Sequence, residues 1–260
     1  MTRWVLADYG EVISDPMPAE TILELADLAG MQADEFRDRY WKFRPPYDLG
    51  QSDRAYWSAV LGHELQAEPQ LVEAMVRVDV AGWMTLNPRT LPALIKFGTH
   101  AGVRLALLSN APEPLATAID HSGWSPSFDR RFYSCRLGLA KPDAAIYQAV
   151  LDDLGATPQS VLFIDDRAEN ALAATALGLR AVRHVGGGAA GPARRLGNKY
   201  GQGTFGACPR IVTCLRPLHA RGWSRNRLSL GPGLGYTRPR VIGHTRFTLC
   251  DTAASACGSC

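Results

Sequence analysis

Trp4-Val-Leu-Ala-Asp-Tyr-Gly-Glu-Val-Ile-Ser14 is the stretch on which the reading of this chain turns. The apolar run Trp4–Ala7 predicts a buried parallel strand that ends on a carboxylate, Asp8. Gly10 then lets the chain turn at little steric cost, and Val12-Ile13 leads into the proline-punctuated Asp15-Pro-Met-Pro18. In open α/β sheets, reactive groups collect beyond the carboxyl ends of the strands. Taken alone, Asp8 is equally a good turn residue.

Working outward, residues 15–100 read as helical throughout. Ile22, Leu23, Leu25 and Leu28 lead to a terminating Gly30, and Phe36, Tyr40 and Phe43 share one helix face. Arg44-Pro-Pro-Tyr-Asp-Leu-Gly50 reads as a loop. Ser52 is placed to cap a helix that ends at Gly62, and another helix spans 69–80. Asn87-Pro88 opens a further helix, for which Gly98 is the expected stop. After Gly102 the period changes: strands are predicted at 104–109, 128–135, 160–165 and 179–185, with helices at 113–121, 143–154 and 168–177 between them. This alternation predicts an α/β fold, a Rossmann-like parallel sheet core with helices on both faces. The helical block is too long to be one crossover, so it is expected to stand out as an inserted α-helical cap subdomain. The expected division is a core of 1–14 and 101–186, a cap of 15–100, and a tail of 187–260.

Charge separates the tail from the rest. Residues 1–186 hold 17 Lys+Arg and 24 Asp+Glu, whereas 187–260 hold 11 Lys+Arg and a single acid, Asp251. Five of the six cysteines and 13 glycines also fall in that last stretch. Its arginines follow no helical stripe, which argues against nucleic acid. Of its cysteines, only Cys257 and Cys260 have zinc-ligand spacing. The abrupt change at Gly186 leads us to expect a disordered or frame-shifted extension. No apolar run approaches the ~20 residues that span a bilayer, and the first residues do not resemble a signal peptide. The expectation is a cytoplasmic protein, monomer or homodimer, with no membrane partner.

Four groups line up with the predicted strand ends: Asp8, Ser109-Asn110, Lys141-Pro142 and Asp165-Asp166. Singly they read as a turn, a helix cap, a solvated loop and an exposed turn. Together they resemble something more specific. Asp8-Tyr-Gly-Glu-Val12, Leu107-Leu-Ser-Asn110, Gly138-Leu-Ala-Lys-Pro-Asp143 and Phe163-Ile-Asp-Asp-Arg-Ala-Glu-Asn170 are similar to the four ordered motifs of the haloacid dehalogenase superfamily of hydrolases. The nearest branch is that of the sugar-phosphate phosphatases and the N-terminal phosphatase domain of soluble epoxide hydrolase.

The resemblance implies an Mg²⁺-dependent phosphatase acting on a small phosphorylated metabolite. Asp8 would be the nucleophile, forming an aspartyl-phosphate that water hydrolyses. Mg²⁺ would be held by Asp8, the Gly10 backbone carbonyl and Asp165, with Asp166 close by. The Ser109 hydroxyl and Asn110 would bind the phosphoryl group, and Lys141 would neutralise charge. Asn170 is expected to support the Asp165 loop. One position departs from most phosphatases of the superfamily: Gly10 stands where they carry a second Asp as general acid/base, help typically worth ~10²–10⁴-fold. The sugar-phosphate phosphatase branch shares the glycine. The alternatives are a catalytically weak binding or regulatory protein and a 2-haloacid dehalogenase, although the Asp-x-Tyr-Gly-Thr signature of the latter does not align with Asp8-Tyr9-Gly10. In the helical block, Trp41, Arg44 and Tyr47 form an aromatic and cationic cluster, which faces either substrate or core. His63, His100, His121 and His184 have no metal or triad spacing.

Overall fold

The computed structural model describes residues 3–65 and 68–185, so the reading of 187–260 lies outside the described residues. The elements run β1 (Trp4–Ala7), α1 (Ala19–Ala29), α2 (Ala33–Asp48), α3 (Asp53–Leu61), α4 (Pro69–Trp83), α5 (Thr90–Ala101) and β2 (Arg104–Ser109). They continue with α6 (Glu113–Asp120), β3 (Arg130–Tyr133), a short α7 (Ser134–Leu137), α8 (Ala144–Leu154), β4 (Val161–Asp165), α9 (Ala168–Ala176) and β5 (Arg180–Arg183). The sheet is parallel throughout in the order β3-β2-β1-β4-β5. β1 is therefore central, with Trp4 level with both Arg104 and Val161.

Strand alternation sorts the apolar residues into two layers. Val5, Ala7, Leu105 and Leu107 pack with Leu91 and Leu94 of α5 and with Leu115 and Ile119 of α6. Trp4, Leu6, Ala106, Leu108 and Phe163 pack with Ile146 and Val150 of α8 and Ala174 of α9. A third cluster, around Leu25, Phe36, Tyr40, Tyr56, Trp57 and Met75, is built by α1–α4 and the segments flanking them. Among the described residues no helix is long and apolar enough to cross a membrane.

Three local expectations change. Residues 44–48 are not a loop, because α2 continues through Pro45 and Pro46 to Asp48. Proline inside a helix costs ~3 kcal/mol by losing a hydrogen bond and crowding the previous turn. Here Arg44 and Tyr47 continue the buried face begun by Phe36 and Tyr40, and Tyr47 stacks on Tyr56 with ring centroids 4.1 Å apart. Gly98 does not end α5. Asn87 Oδ1 accepts from the Arg89 and Thr90 amides and starts that helix, which runs on to Gly102 at φ 59°. Gly98 is buried at a close approach to β2, where a Cβ would lie 3.0 Å from Leu105 Cγ. The strand expected at 128–135 is shortened to β3 by the helical turn of α7.

Candidate active site

Each strand that carries a predicted site residue delivers it to the same edge of the sheet. Asp8 follows β1, its amide bonded to the Ile164 carbonyl of β4 at 2.8 Å, and Asp165 ends β4. Ser109 ends β2, and Lys141 lies in the segment between α7 and α8. All four are buried. Lys141 Nζ is 2.7 Å from Asp8 Oδ1 and 2.8 Å from Asp165 Oδ2, and it donates its third bond to the Leu108 carbonyl at 2.9 Å. An ammonium has three protons, and all three are directed.

The supporting bonds come from neighbouring loops. Asn110 clamps the lysine segment from both sides: its Nδ2 donates to the Lys141 carbonyl at 2.8 Å, and its Oδ1 accepts from the Lys141 amide at 2.9 Å. Asn170 Nδ2 donates to both oxygens of Asp165, at 2.9 and 3.0 Å, and the Arg167 amide donates to Oδ1 at 2.9 Å. Among the described residues, Asp8 Oδ2, the Gly10 carbonyl and the Ser109 hydroxyl make no hydrogen bond, so these oxygens are free to receive a ligand.

Electrostatics follows from burial. Desolvation pushes the Asp8 carboxyl up to about 7; Lys141 opposes this, and Asp165 and Asp166 add to it. Asp166 rises to about 6 for the same reason, reinforced by Asp165 and Glu11. For Lys141, burial alone would lower the pKa, but Asp8 and Asp165 outweigh it and hold the ammonium charged. Glu11 adopts the left-handed backbone region at φ 55°, which is uncommon for a non-glycine residue.

Asp8, Asp165 and Asp166 each offer a carboxylate oxygen, and these oxygens lie within 4.8 Å of one another. An all-oxygen, acidic donor set with a free backbone carbonyl at Gly10 fits a hard divalent cation such as Mg²⁺.

Arg44 is not brought to this edge. Its Nε pairs with Asp48 Oδ1 at 2.8 Å, and its Nη1 reaches Asp79 at 3.3 Å and the Tyr40 hydroxyl. Burial would lower its pKa, yet Tyr40, Asp79 and Asp48 together raise it, so it is a charged core residue. Of its two companions, Tyr47 is also buried, whereas Trp41 is 43% exposed and packs edge-on against Tyr40 and Trp83. The sequence reading missed the partners of this network. An acidic residue inside the apolar helix α4, Asp79, was the available signal. It also missed Tyr9, whose hydroxyl donates to the Trp83 carbonyl at 2.9 Å, and Ser134, for which the sequence carries no signal.

The parallel sheet, with carboxylates gathered at its carboxyl edge and helices inserted after β1, is a fold shared with solved enzymes of the haloacid dehalogenase type. The structure of HAD family enzyme bt-2542 from Bacteroides thetaiotaomicron, an Asp12Ala mutant in complex with magnesium and inorganic phosphate, aligns with a TM-score of 0.59. That alignment covers 73% of this chain and 97% of the other at 19% identity. A 2-haloacid dehalogenase from Pseudomonas syringae pv. Tomato aligns with a TM-score of 0.53 at 21% identity, covering 75% and 92% of the two chains.

The chain belongs to the haloacid dehalogenase-like hydrolase family, whose model matches residues 8–178. It is 26% identical over 188 residues to the drimenol cyclase drtB of Aspergillus calidoustus, covering 70% of this chain and 34% of the relative. It is also 34% identical over 80 residues to the sesquiterpene phosphatase astK of Aspergillus oryzae, covering 30% and 40%. The chain thus spans less than half the length of these curated relatives.

Proposed function

We propose that the protein is an Mg²⁺-dependent phosphatase of a small phosphorylated metabolite, in the class of sugar phosphates, with Asp8 as the nucleophile. The observation that carries this reading is the buried trio Asp8, Lys141 and Asp165, in which one ammonium bridges two carboxylates at the sheet edge. A phosphatase relative and a structural neighbour holding magnesium and phosphate support it.

Asp8 Oδ2 attacks phosphorus; the bond to the ester oxygen breaks, and the alkoxide leaves as the alcohol after taking a proton from solvent. Water then attacks the aspartyl-phosphate, releasing inorganic phosphate and restoring the Asp8 carboxylate. Lys141 holds Asp8 in place through Oδ1 and offsets the negative charge of the incoming phosphoryl group. The Ser109 hydroxyl binds a phosphoryl oxygen, and Asn110 fixes the lysine segment. Asp8, Asp165, Asp166 and the Gly10 carbonyl would hold Mg²⁺, which when bound neutralises phosphoryl charge and orients the ester. No carboxylate stands at position 10, so leaving-group protonation relies on solvent, and good leaving groups are favoured. We further propose that α1–α4 form the cap that closes over this edge and selects the substrate.

Phosphate release from a panel of phosphate esters, with and without EDTA, tests the reading. Turnover that EDTA abolishes and that Asp8→Asn lowers by ~10³-fold or more is expected. Halide release from 2-haloacids without phosphate release moves the assignment to a dehalogenase. No turnover of either class leaves a binding protein on a hydrolase fold.

A further inference from the structure

Two buried contacts join α1–α4 to loops at the carboxyl edge of the sheet, and each of these loops adjoins a residue of the candidate site. At the first, the Tyr9 hydroxyl holds the Trp83 carbonyl, and the Trp83 ring lies over Gly10, 3.7 Å from where a Cβ would be. At the second, Ser134 joins two segments far apart in sequence. Its Oγ donates to the Asp48 carbonyl at the end of α2 and accepts from the Ala111 amide at 3.0 Å. Ser134 and Ala111 are fully buried.

Both groups joined by Ser134 would otherwise be unpaired. The Asp48 carbonyl is one of the last of its helix, where no further turn supplies a donor. Among the described residues neither it nor the Ala111 amide has another partner. A buried polar group without a partner is destabilising, so this hydroxyl specifies where the two segments meet. Gly50, just beyond α2, approaches the same place: at φ 98° a Cβ there would lie 3.1 Å from the Cys135 carbonyl. On the other side of the contact, Ala111 adjoins Asn110, whose amide group clamps Lys141 through two bonds. Displacing Ala111 therefore displaces both Ser109-Asn110 and Lys141.

We propose that Ser134 is a positioning residue that latches the end of α2 to the loop following β2, setting Ser109, Asn110 and Lys141 at the depth at which a phosphoryl group is bound. The role rests on the phosphatase reading, but its structural half can be measured without turnover.

The test compares the full-length wild type with Ser134→Ala and with Ser134→Cys, which keeps the shape and weakens the donor. Hydrogen exchange at Ala111 and Gly50 is expected to accelerate in both variants, while exchange in β1 and β4 stays unchanged. On a hydrolysed ester, KM should rise by on the order of 10-fold in Ser134→Ala, because Ser109 binds the phosphoryl group in ground and transition states alike, and kcat should fall as well, because Lys141 shifts from Asp8. A residue that only stabilises the fold would lower the active fraction, and with it the apparent kcat, at unchanged KM. An unchanged KM, or unchanged exchange at Ala111, overturns the proposal; if Ser134→Ala does not fold, Ser134→Cys is read by the same criteria. The Kd for inorganic phosphate with Mg²⁺ separates the two readings. A wild type that turns over no ester defeats the phosphatase reading. A phosphate Kd that Ser134→Ala leaves unchanged defeats the latch.

Discussion

Lys141 has no proton to spare: Asp8, Asp165 and the Leu108 carbonyl take all three. This arrangement keeps a buried carboxylate pair from being a like-charge pair without compensation. It does not neutralise the site, because Asp166 adds a third carboxylate, and burial leaves Asp8 near 7 and Asp166 near 6. The linkage has a definite sign. Carboxyls raised above their ordinary range keep protons in the folded state that the unfolded chain has released, so the metal-free protein loses stability as pH rises from about 4 to 7. A cation requires the deprotonated oxygens and reverses that loss. Mg²⁺ is therefore expected to raise Tm more at pH 8 than at pH 5.5, in thermal unfolding at fixed metal concentration. Equal shifts at the two pH values would show that these carboxylates do not bind the ion.

At the scale of elements, contacts between helices explain where local rules gave way. α2 tolerates two prolines in its last turn because Tyr47 is held in the aromatic cluster of α1–α4 and Arg44 lies over the Tyr40, Tyr47 and Trp83 rings. α4 meets α1 with Gly82 against Thr21: a Cβ at position 82 would lie 2.6 Å from Thr21 Cγ2 and 2.9 Å from its Oγ1. Thr21 is buried and β-branched, so it has few rotamers into which it can retreat. Gly82→Ala is expected to destabilise the protein by ~1–3 kcal/mol despite alanine's better helix propensity. Thr21→Ala should recover much of that loss in the double variant, as read by urea unfolding. Additive effects in the two single variants would show that the helices do not meet there.

At the scale of the whole molecule, an ion network ties the helix after β2 to the segment after β3. Arg136 bonds Glu113 at 2.7 Å and Asp120 at 2.6 Å, and Arg131 bonds Asp120 at 2.7 Å. The Arg136 bonds lower the Glu113 pKa; for Asp120, burial acts upward, but the bonds from Arg136, Arg131 and Tyr133 outweigh it. Carboxyls lowered in the folded state add stability above their unfolded pKa, and that stability is lost as pH falls through the folded value. Arg136→Gln should therefore be less stable than wild type at pH 7, by of order 1 kcal/mol. The gap should narrow below about pH 4, as measured by denaturant unfolding across that range; a gap independent of pH would leave Arg136 a packing role only.

The parallel sheet and the gathering of Asp8, Ser109, Lys141 and Asp165 at one edge were legible in the sequence. Short apolar runs ending in polar residues are local signals, and the parallel topology brings their ends to one edge. The sequence also announced Asn170 as a support and Ser52 as a cap, since both act on groups no more than five residues away. Packing of distant segments is what buries Arg44 against Asp79, makes Gly98 and Gly82 close-approach sites, and joins Asp48 to Ala111 through Ser134. The difference is one of range. Each of these depends on a partner brought close by packing, which the pattern around the residue does not encode, whereas strands, caps and turns are specified by residues within a few positions of one another.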